Sequence, residues 1–193
     1  MIFVRSLLYF LAMVISVIIF GLTIALLGRF IRGDFSDVVA TNWGKFNLWL
    51  QRLICGLRYE IQGLENLPTS DPVIIMSKHQ SAWETISLRG IFRPQQSWVL
   101  KKELMQLPFF GWALGFAKSI PIDRAAGRRA IIEVVKQGIK RLEEGRYVII
   151  FPEGTRTDPG QRRRYGMGGG VLAERSGVPV IPVAHNAGAV SYT

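Results

Sequence analysis

Apolar residues dominate the N-terminal part of the chain. Between Ser6 and Gly28 there is no charged residue, and the stretch is packed with Leu, Ile, Val and Phe. As an α-helix it is long enough to span about 30 Å of hydrocarbon, either as a full crossing or as a re-entrant segment. Basic residues, and no small-x-small cleavage site, follow it. We therefore predict a retained membrane anchor over residues 1–40 rather than a cleaved signal peptide.

A second helix is predicted by apolar side chains that recur at helical spacing between Thr41 and Leu57. Its tryptophans, Trp43 and Trp49, are typical of the headgroup region of a bilayer. The helix either lies in the membrane interface or packs on the core of the globular domain, and the neighbouring anchor favours the interface. We therefore predict that an amphipathic interfacial helix leads the second domain, residues 41–193.

From Leu57 onward, apolar runs with strand character alternate with stretches of helical periodicity. Such alternation predicts an α/β domain in which helices flank a mixed β-sheet. Pro179 and Pro182 favour an edge or irregular position for the last strand, because proline cannot donate to a β-ladder. The predicted strands are residues 59–62, 73–76, 97–100, 119–122, 147–151 and 178–183, and the predicted helices are residues 80–92, 108–118, 128–144 and 167–176.

The charge distribution indicates an anionic partner. The formal net charge is +10, yet only Arg5 among the 24 basic residues precedes residue 29. This excess suits an anionic lipid surface or a phosphorylated substrate. Nucleic acid is disfavoured, because a membrane segment precedes the basic part and no nucleic-acid-binding motif is visible. The basic residues beyond the anchor predict a domain on the cytoplasmic side of the inner membrane; they are Arg29, Arg32, Lys45, Arg52 and Arg58.

The cysteine and histidine content excludes several kinds of site. A single cysteine, Cys55, rules out an internal disulfide and a cysteine-based metal cluster. The two histidines, His79 and His185, are too few for an ordinary zinc site. We therefore predict no metal site.

Residues 78–84 directly follow the predicted buried strand 73–76 and contain a histidine and a glutamate. Positions five apart in one ideal helix are separated by about 140° around its axis, so His79 and Glu84 meet only if His79 lies in the turn before the helix. A neutral imidazole there can take a proton from a substrate hydroxyl, and Glu84 would fix its tautomer. The alternative is a surface pair that never meets.

Three further blocks place charged residues after predicted strands, where open α/β sheets hold their binding sites. After the strand 147–151, Gly154 frees the backbone to turn, and Arg156 offers a fork of donors matched to a phosphate. Glu153 can accept a hydrogen bond from a hydroxyl. Each block taken singly is equally consistent with a charged turn. The candidate binding residues are Lys101, Lys102, Asp123, Arg124, Glu153, Gly154, Thr155 and Arg156.

The order of four blocks, residues 79–84, 120–124, 151–156 and 178–183, resembles the glycerophospholipid acyltransferase family over residues 40–188. The resemblance implies that His79 is the general base on a free 2-hydroxyl, held by Glu84. It implies that Arg156 binds the acceptor phosphate, assisted by Arg124 and by Lys101 or Lys102, in a pocket that Glu153 and Gly154 shape. It also implies that the strand 178–183 helps to line the acyl path.

The same resemblance implies the reaction and its participants. An acyl chain would pass from acyl-CoA or acyl carrier protein to 1-acyl-sn-glycerol 3-phosphate, making phosphatidic acid. The hydroxyl would attack the thioester directly, so neither an acyl-enzyme nor a cofactor is needed. The implied partners are lysophosphatidic acid, the acyl donor and anionic membrane lipids, with no nucleic acid.

Two departures from the family pattern keep alternatives open. Residues 165–170 contain no lysine where relatives usually carry one, and the tail beyond residue 188 does not resemble the family's continuation. The tail predicts a domain truncated at its C-terminus. The alternatives are the same chemistry on another lysophospholipid, glycerol 3-phosphate or a lipid A precursor, or a non-catalytic membrane protein.

Overall fold

The computed structural model of the chain describes residues 2–31, 33–68 and 71–191, without the side chains of residues 190 and 191. Arg32 and residues 192 and 193 of the C-terminal tail, which figure in the sequence analysis, lie outside the described residues. The helices are α1 (Ile2–Leu27), α2 (Phe35–Cys55), α3 (Trp83–Ile91), α4 (Phe110–Phe116), α5 (Arg128–Glu143), α6 (Gly168–Ser176) and α7 (Ala187–Ser191), and the strands are β1 (Ile74–Ser77), β2 (Gln96–Lys101), β3 (Ile120–Ile122), β4 (Tyr147–Ile150) and β5 (Val180–Val183).

The five strands form one sheet in the order β3-β2-β4-β1-β5. The α/β architecture is confirmed, but the expectation of a mixed sheet is wrong: all four strand pairings in the described residues are parallel. The predicted strand 59–62 is irregular backbone instead. Tyr59 and Ile61 are 46% and 38% exposed, so their side chains are not buried against a sheet as those of a core strand would be. The edge position predicted for the proline-containing strand is confirmed for β5.

The central strands β1 and β4 are buried on both faces, which explains why they are continuous apolar runs. Successive side chains of β1 point to opposite faces. Ile74 packs in a cluster with the α5 residues Val134 and Val135, whereas Ile75 packs in a second cluster with Leu88 of α3. Strand β1 is therefore packed between helices on both sides, and this packing fixes the position of its C-terminal end.

Helix α1 is long and apolar enough to cross a membrane. It also packs against α2 and α4. Ser16 accepts hydrogen bonds from Trp43 Nε1 at 3.0 Å and from Asn47 Nδ2 at 3.2 Å, and Asn47 is fully buried. Such polar contacts join helices firmly in apolar surroundings. The first two helices are therefore one packed unit, and the boundary predicted at residues 40 and 41 falls inside α2.

A buried ionic cluster joins α2 to the sheet. Both guanidinium Nη atoms of Arg146, directly before β4, donate to the carboxylate of Asp37 at 2.7 Å. Arg146 Nε also donates to Ser97 Oγ of β2 at 2.8 Å. Arg89 of α3 lies 3.5 Å from the same carboxylate. Burial is the main reason that the pKa of Arg89 falls to about 10, so Arg89 stays charged at neutral pH.

Candidate active site

His79 lies in the turn between β1 and α3, and Glu84 lies in the first turn of α3. The structure brings the two side chains together, with 2.8 Å between His79 Nδ1 and Glu84 Oε1. Helix α3 begins at Trp83, three residues later than predicted, because the backbone of residues 80–82 is used to close this turn. The placement agrees with the geometric requirement that the histidine precede the helix.

The Glu84 carboxylate is completely buried and fully hydrogen-bonded. Its Oε1 accepts from the backbone N–H groups of Gln80 and Ser81, both at 2.7 Å, and its Oε2 accepts from Ser81 Oγ at 2.5 Å. Burial alone would raise the pKa of Glu84, but the hydrogen bonds from His79 and Ser81 outweigh it and lower the pKa to about 2. Glu84 is therefore an anion at neutral pH.

The charge of Glu84 determines the tautomer of His79. A carboxylate can only accept, so Nδ1 of the neutral imidazole carries the proton and Nε2 keeps a free lone pair. The ring stacks on Phe151, with 4.3 Å between ring centroids and an interplanar angle of 16°. Its side chain is 14% exposed. In its neutral form His79 thus has the tautomer and the restricted orientation that a general base requires.

His79 lines a cavity of about 590 Å³ whose remaining walls differ in character. Cationic and polar walls come from the ends of β2 and β3 and from the loop after β4, where Lys101, Arg124, Thr155 and Arg156 lie. The apolar walls come from α1, α4 and β2. They include Val17, Phe20, Ile24, Val99, Leu100, Phe110, Ala113 and Leu114.

The other four predicted binding residues do not line this cavity. Lys102 and Asp123 form an exposed ion pair with each other at 2.5 Å. Glu153 is only 6% exposed, and its carboxylate accepts from the backbone N–H of His79 at 2.7 Å and from Thr157 Oγ1 at 3.3 Å. Gly154 has a φ of +68°, which the tight turn after Phe151 requires. Glu153 and Gly154 therefore shape the turn that holds His79, whereas the sequence hypothesis paired Glu153 with a substrate hydroxyl.

The apolar wall of the cavity does not include β5 in the described part of the chain. The acyl path implied along residues 178–183 stays a prediction. Helix α1 supplies a wall that the analysis treated only as an anchor. Val17, Gly21 and Ile24 lie on one helical face at spacings of three and four residues, a signal that could have indicated this contact.

A positioned base, a cationic surface and an apolar compartment in one cavity suit transfer chemistry on an amphiphilic anion. The described residues hold no group of three or more His, Cys, Asp or Glu side chains that could bind a metal. The prediction that no cofactor takes part stays a prediction.

Comparison with known proteins identifies the family. A family model described as Acyltransferase matches residues 58–186, which include His79, Glu84 and Arg156. The chain belongs to the Acyltransferase family. Two thirds of its length, from the end of α2 to the start of α7, lie within the matched region. Helices α1 and α2 both precede the region that defines this acyltransferase family.

Individual relatives carry a more specific name. The chain is 51% identical over 150 residues to the 1-acyl-sn-glycerol-3-phosphate acyltransferase of Pseudomonas aeruginosa, covering 78% of this chain and 58% of that protein. It is 33% identical over 139 residues to the protein of the same name from Borreliella burgdorferi, covering 72% of this chain and 54% of that one. The chain therefore spans little more than half the length of these curated relatives.

A solved structure supports the fold of this acyltransferase. The crystal structure of the 1-acyl-sn-glycerophosphate (LPA) acyltransferase PlsC from Thermotoga maritima aligns with 94% of this chain and 72% of that chain. The TM-score is 0.74 at 22% sequence identity. The two proteins share the arrangement of sheet and helices.

Proposed function

We propose that the protein transfers an acyl chain from a thioester donor, acyl-CoA or acyl carrier protein, to the 2-hydroxyl of 1-acyl-sn-glycerol 3-phosphate, making phosphatidic acid. The observation that carries the proposal is the His79–Glu84 pair at a cavity that also presents Arg124 and Arg156. The names of the Pseudomonas and Borreliella relatives favour this acceptor over others.

In the proposed mechanism, His79 acts as general base. Its Nε2 takes the proton of the 2-hydroxyl while the hydroxyl oxygen attacks the thioester carbonyl carbon. The buried Glu84 anion stabilises the resulting imidazolium through Nδ1. The carbon–sulfur bond then breaks, and the imidazolium returns the proton to the leaving thiolate. The acceptor is itself the nucleophile, so no acyl-enzyme forms.

The walls of the cavity match the two halves of the substrates. Arg156, Arg124 and Lys101 provide positive charge for the phosphate of the acceptor, and guanidinium groups bind phosphate with paired hydrogen bonds. The apolar wall formed by α1, α4 and β2 provides a compartment for an acyl chain. The volume of the whole cavity, about 590 Å³, lies in the range of about 300–1,000 Å³ that is usual for small-molecule sites.

The location proposed for this reaction is the cytoplasmic face of the inner membrane. Helix α1 is apolar apart from Arg5 and a few small polar residues, and apolar side chains such as Trp49 and Leu53 of α2 are more than half exposed. These surfaces suit contact with lipid, and the basic residues that follow α1 suit the cytoplasmic side. A lysolipid acceptor could then enter the cavity from the bilayer.

The direct test is an activity assay on the purified full chain in phospholipid nanodiscs. Lysophosphatidate and labelled acyl-CoA or acyl carrier protein are supplied, and phosphatidate is expected to form with either or both donors. A panel containing glycerol 3-phosphate, other lysophospholipids and a lipid A precursor tests the acceptor. Faster turnover of another acceptor would replace lysophosphatidate in the proposal, and no turnover with any of them would favour the non-catalytic alternative.

Arg156→Ala is expected to weaken binding of the phosphorylated acceptor. Loss of one charge-assisted hydrogen-bonding group is worth about 1.5–3 kcal/mol, so KM for lysophosphatidate should rise about 10- to 100-fold with a smaller change in kcat. Steady-state kinetics with the acceptor varied measure this. Arg175→Ala is the matched control, because Arg175 is an exposed arginine on α6 outside the cavity. Equal KM values for the two variants would remove Arg156 from the phosphate site.

A further inference from the structure

The peptide unit that precedes His79 is held at both ends by side chains from distant parts of the chain. The carbonyl oxygen of Lys78 accepts a hydrogen bond from His185 Nε2 at 2.7 Å. The N–H of the same peptide unit, which belongs to His79, donates to Glu153 Oε2 at 2.7 Å. Ser77 Oγ also contacts the Lys78 carbonyl, at 3.2 Å, but as the neighbouring residue it moves with the turn.

The peptide unit that follows His79 is held in the same way. Its carbonyl oxygen accepts from the backbone N–H of Thr157 at 2.8 Å. Thr157 Oγ1 lies 3.2 Å from the same carbonyl oxygen and 3.3 Å from Glu153 Oε1, and its single proton can serve either acceptor. Its N–H, which belongs to Gln80, donates to Glu84 Oε1 at 2.7 Å. The two flanking peptide planes determine the direction of the Cα–Cβ bond of His79. The imidazole is therefore aimed by its backbone as well as by Glu84.

Of the residues whose side chains hold these two peptide units, His185 follows the last strand, in the segment between β5 and α7. Its Nδ1 lies 3.3 Å from the backbone N–H of Ala187, which can only donate. Nδ1 is therefore the acceptor, and Nε2 of the neutral ring carries the proton that it donates to Lys78. The two histidines of the chain thus hold opposite tautomers, each determined by a partner that permits only one role.

The same segment also touches the turn through its backbone. A Cβ atom placed on Gly188 would lie 2.8 Å from Gln80 Cβ and 3.0 Å from Gln80 Cδ. Only a residue without a side chain allows this approach. The start of α7 is therefore packed directly on the residue that follows His79, independently of the His185 hydrogen bond.

We propose that His185 is a positioning residue for His79, and that the segment from His185 to Gly188 is part of the apparatus that aims the general base. The inference rests on the proposed function, because it assigns His185 to the same transfer reaction. His185 does not line the cavity and acts only through the backbone of the turn. Its loss should slow the chemical step while leaving acceptor binding intact.

The kinetic test compares His185→Leu with His185→Gln. Leucine removes both hydrogen bonds, whereas the glutamine amide can still donate to Lys78. We expect kcat of the leucine variant to fall about 10- to 100-fold, the scale of a misplacement near 1 Å, with KM for lysophosphatidate unchanged. The glutamine variant should recover most of kcat. Glu174→Ala is the control, since Glu174 is exposed on α6, outside both the cavity lining and the segment from His185 to Gly188.

A spectroscopic readout tests positioning without using activity. The chain has two histidines, so after substitution of His185 the imidazole ¹⁵N signals belong to His79 alone. We expect a single Nδ1–H tautomer in His185→Gln. In His185→Leu we expect averaging between tautomers, because a displaced imidazole no longer keeps its 2.8 Å contact with Glu84. Identical His79 signals and equal kcat in the two variants would overturn the proposal. Failure of the unmodified chain to acylate lysophosphatidate would instead overturn the proposed function, and the ¹⁵N comparison would still stand.

Gly188→Ala provides a second variant if His185→Leu does not fold. The added methyl group would press on Gln80 and tilt the peptide unit after His79. We expect a lower kcat at unchanged KM. An unchanged kcat in a folded Gly188→Ala protein would contradict the role assigned to this segment.

Discussion

Replacing His79 with alanine is expected to reduce kcat for acyl transfer by about 10²–10⁴-fold, the usual contribution of a positioned general base. A 2-hydroxyl is a poor nucleophile at neutral pH, and in the described part of the chain no other imidazole lines the cavity. The rate is measured with purified protein in nanodiscs at saturating lysophosphatidate and acyl donor. Membrane association should persist, because the apolar surface of α1 is unchanged.

The control for this experiment is Lys136→Ala, an exposed position on α5 that is remote from the cavity lining. It should retain the unmodified rate. If His79→Ala kept more than a small fraction of that rate, the hydroxyl would need a different base, and the role of Glu84 would have to be reconsidered with it.

Replacing Asp37 with alanine is expected to lower the free energy of unfolding more than any other substitution discussed above. The substitution would leave the guanidinium groups of Arg89 and Arg146 buried together without their shared counter-ion; their side chains are 7% and 4% exposed. Removing one partner of a buried ionic group typically costs about 3–5 kcal/mol. For a chain of this size the loss corresponds to a fall in Tm of roughly 10 °C.

Thermal unfolding in detergent, followed by circular dichroism, measures this effect. Asp158→Ala is the matched control, because Asp158 is an exposed aspartate in the loop after β4. Its Tm should change little. Equal Tm values for the two alanine variants would show that the cluster does not hold α2 on the sheet.

The parts of the molecule that depend on local pattern were predictable from the sequence. The apolar runs at β1 and β4 indicated buried strands, and the distance of five residues between His79 and Glu84 indicated a turn followed by a helix. Parallel strands align their carboxyl ends, so residues that follow different strands, such as Arg124 and Arg156, reach the same cavity. Each of these inferences needs only a short segment and one rule of sheet geometry.

The parts that depend on long-range pairing were not predictable. Asp37 and Arg146 are separated by 109 residues, and within α2 the aspartate looks like one more polar position on an amphipathic helix. Glu153 was assigned to substrate because a charged residue after a strand usually faces the site. Its burial against the His79 backbone becomes visible only when β4 and β1 are placed side by side.

Helix α1 is both a candidate membrane span and one wall of the cavity, and this has a practical consequence. Ile24 is 2% exposed and Ser16 is 3% exposed, so these positions of α1 belong to the interior of the protein. Cutting the chain after Gly28 to obtain a water-soluble protein would remove one wall of the cavity and leave Trp43 and Asn47 without their shared acceptor. Truncation would therefore damage the packed interior of the protein, whereas a detergent or nanodisc keeps the full chain.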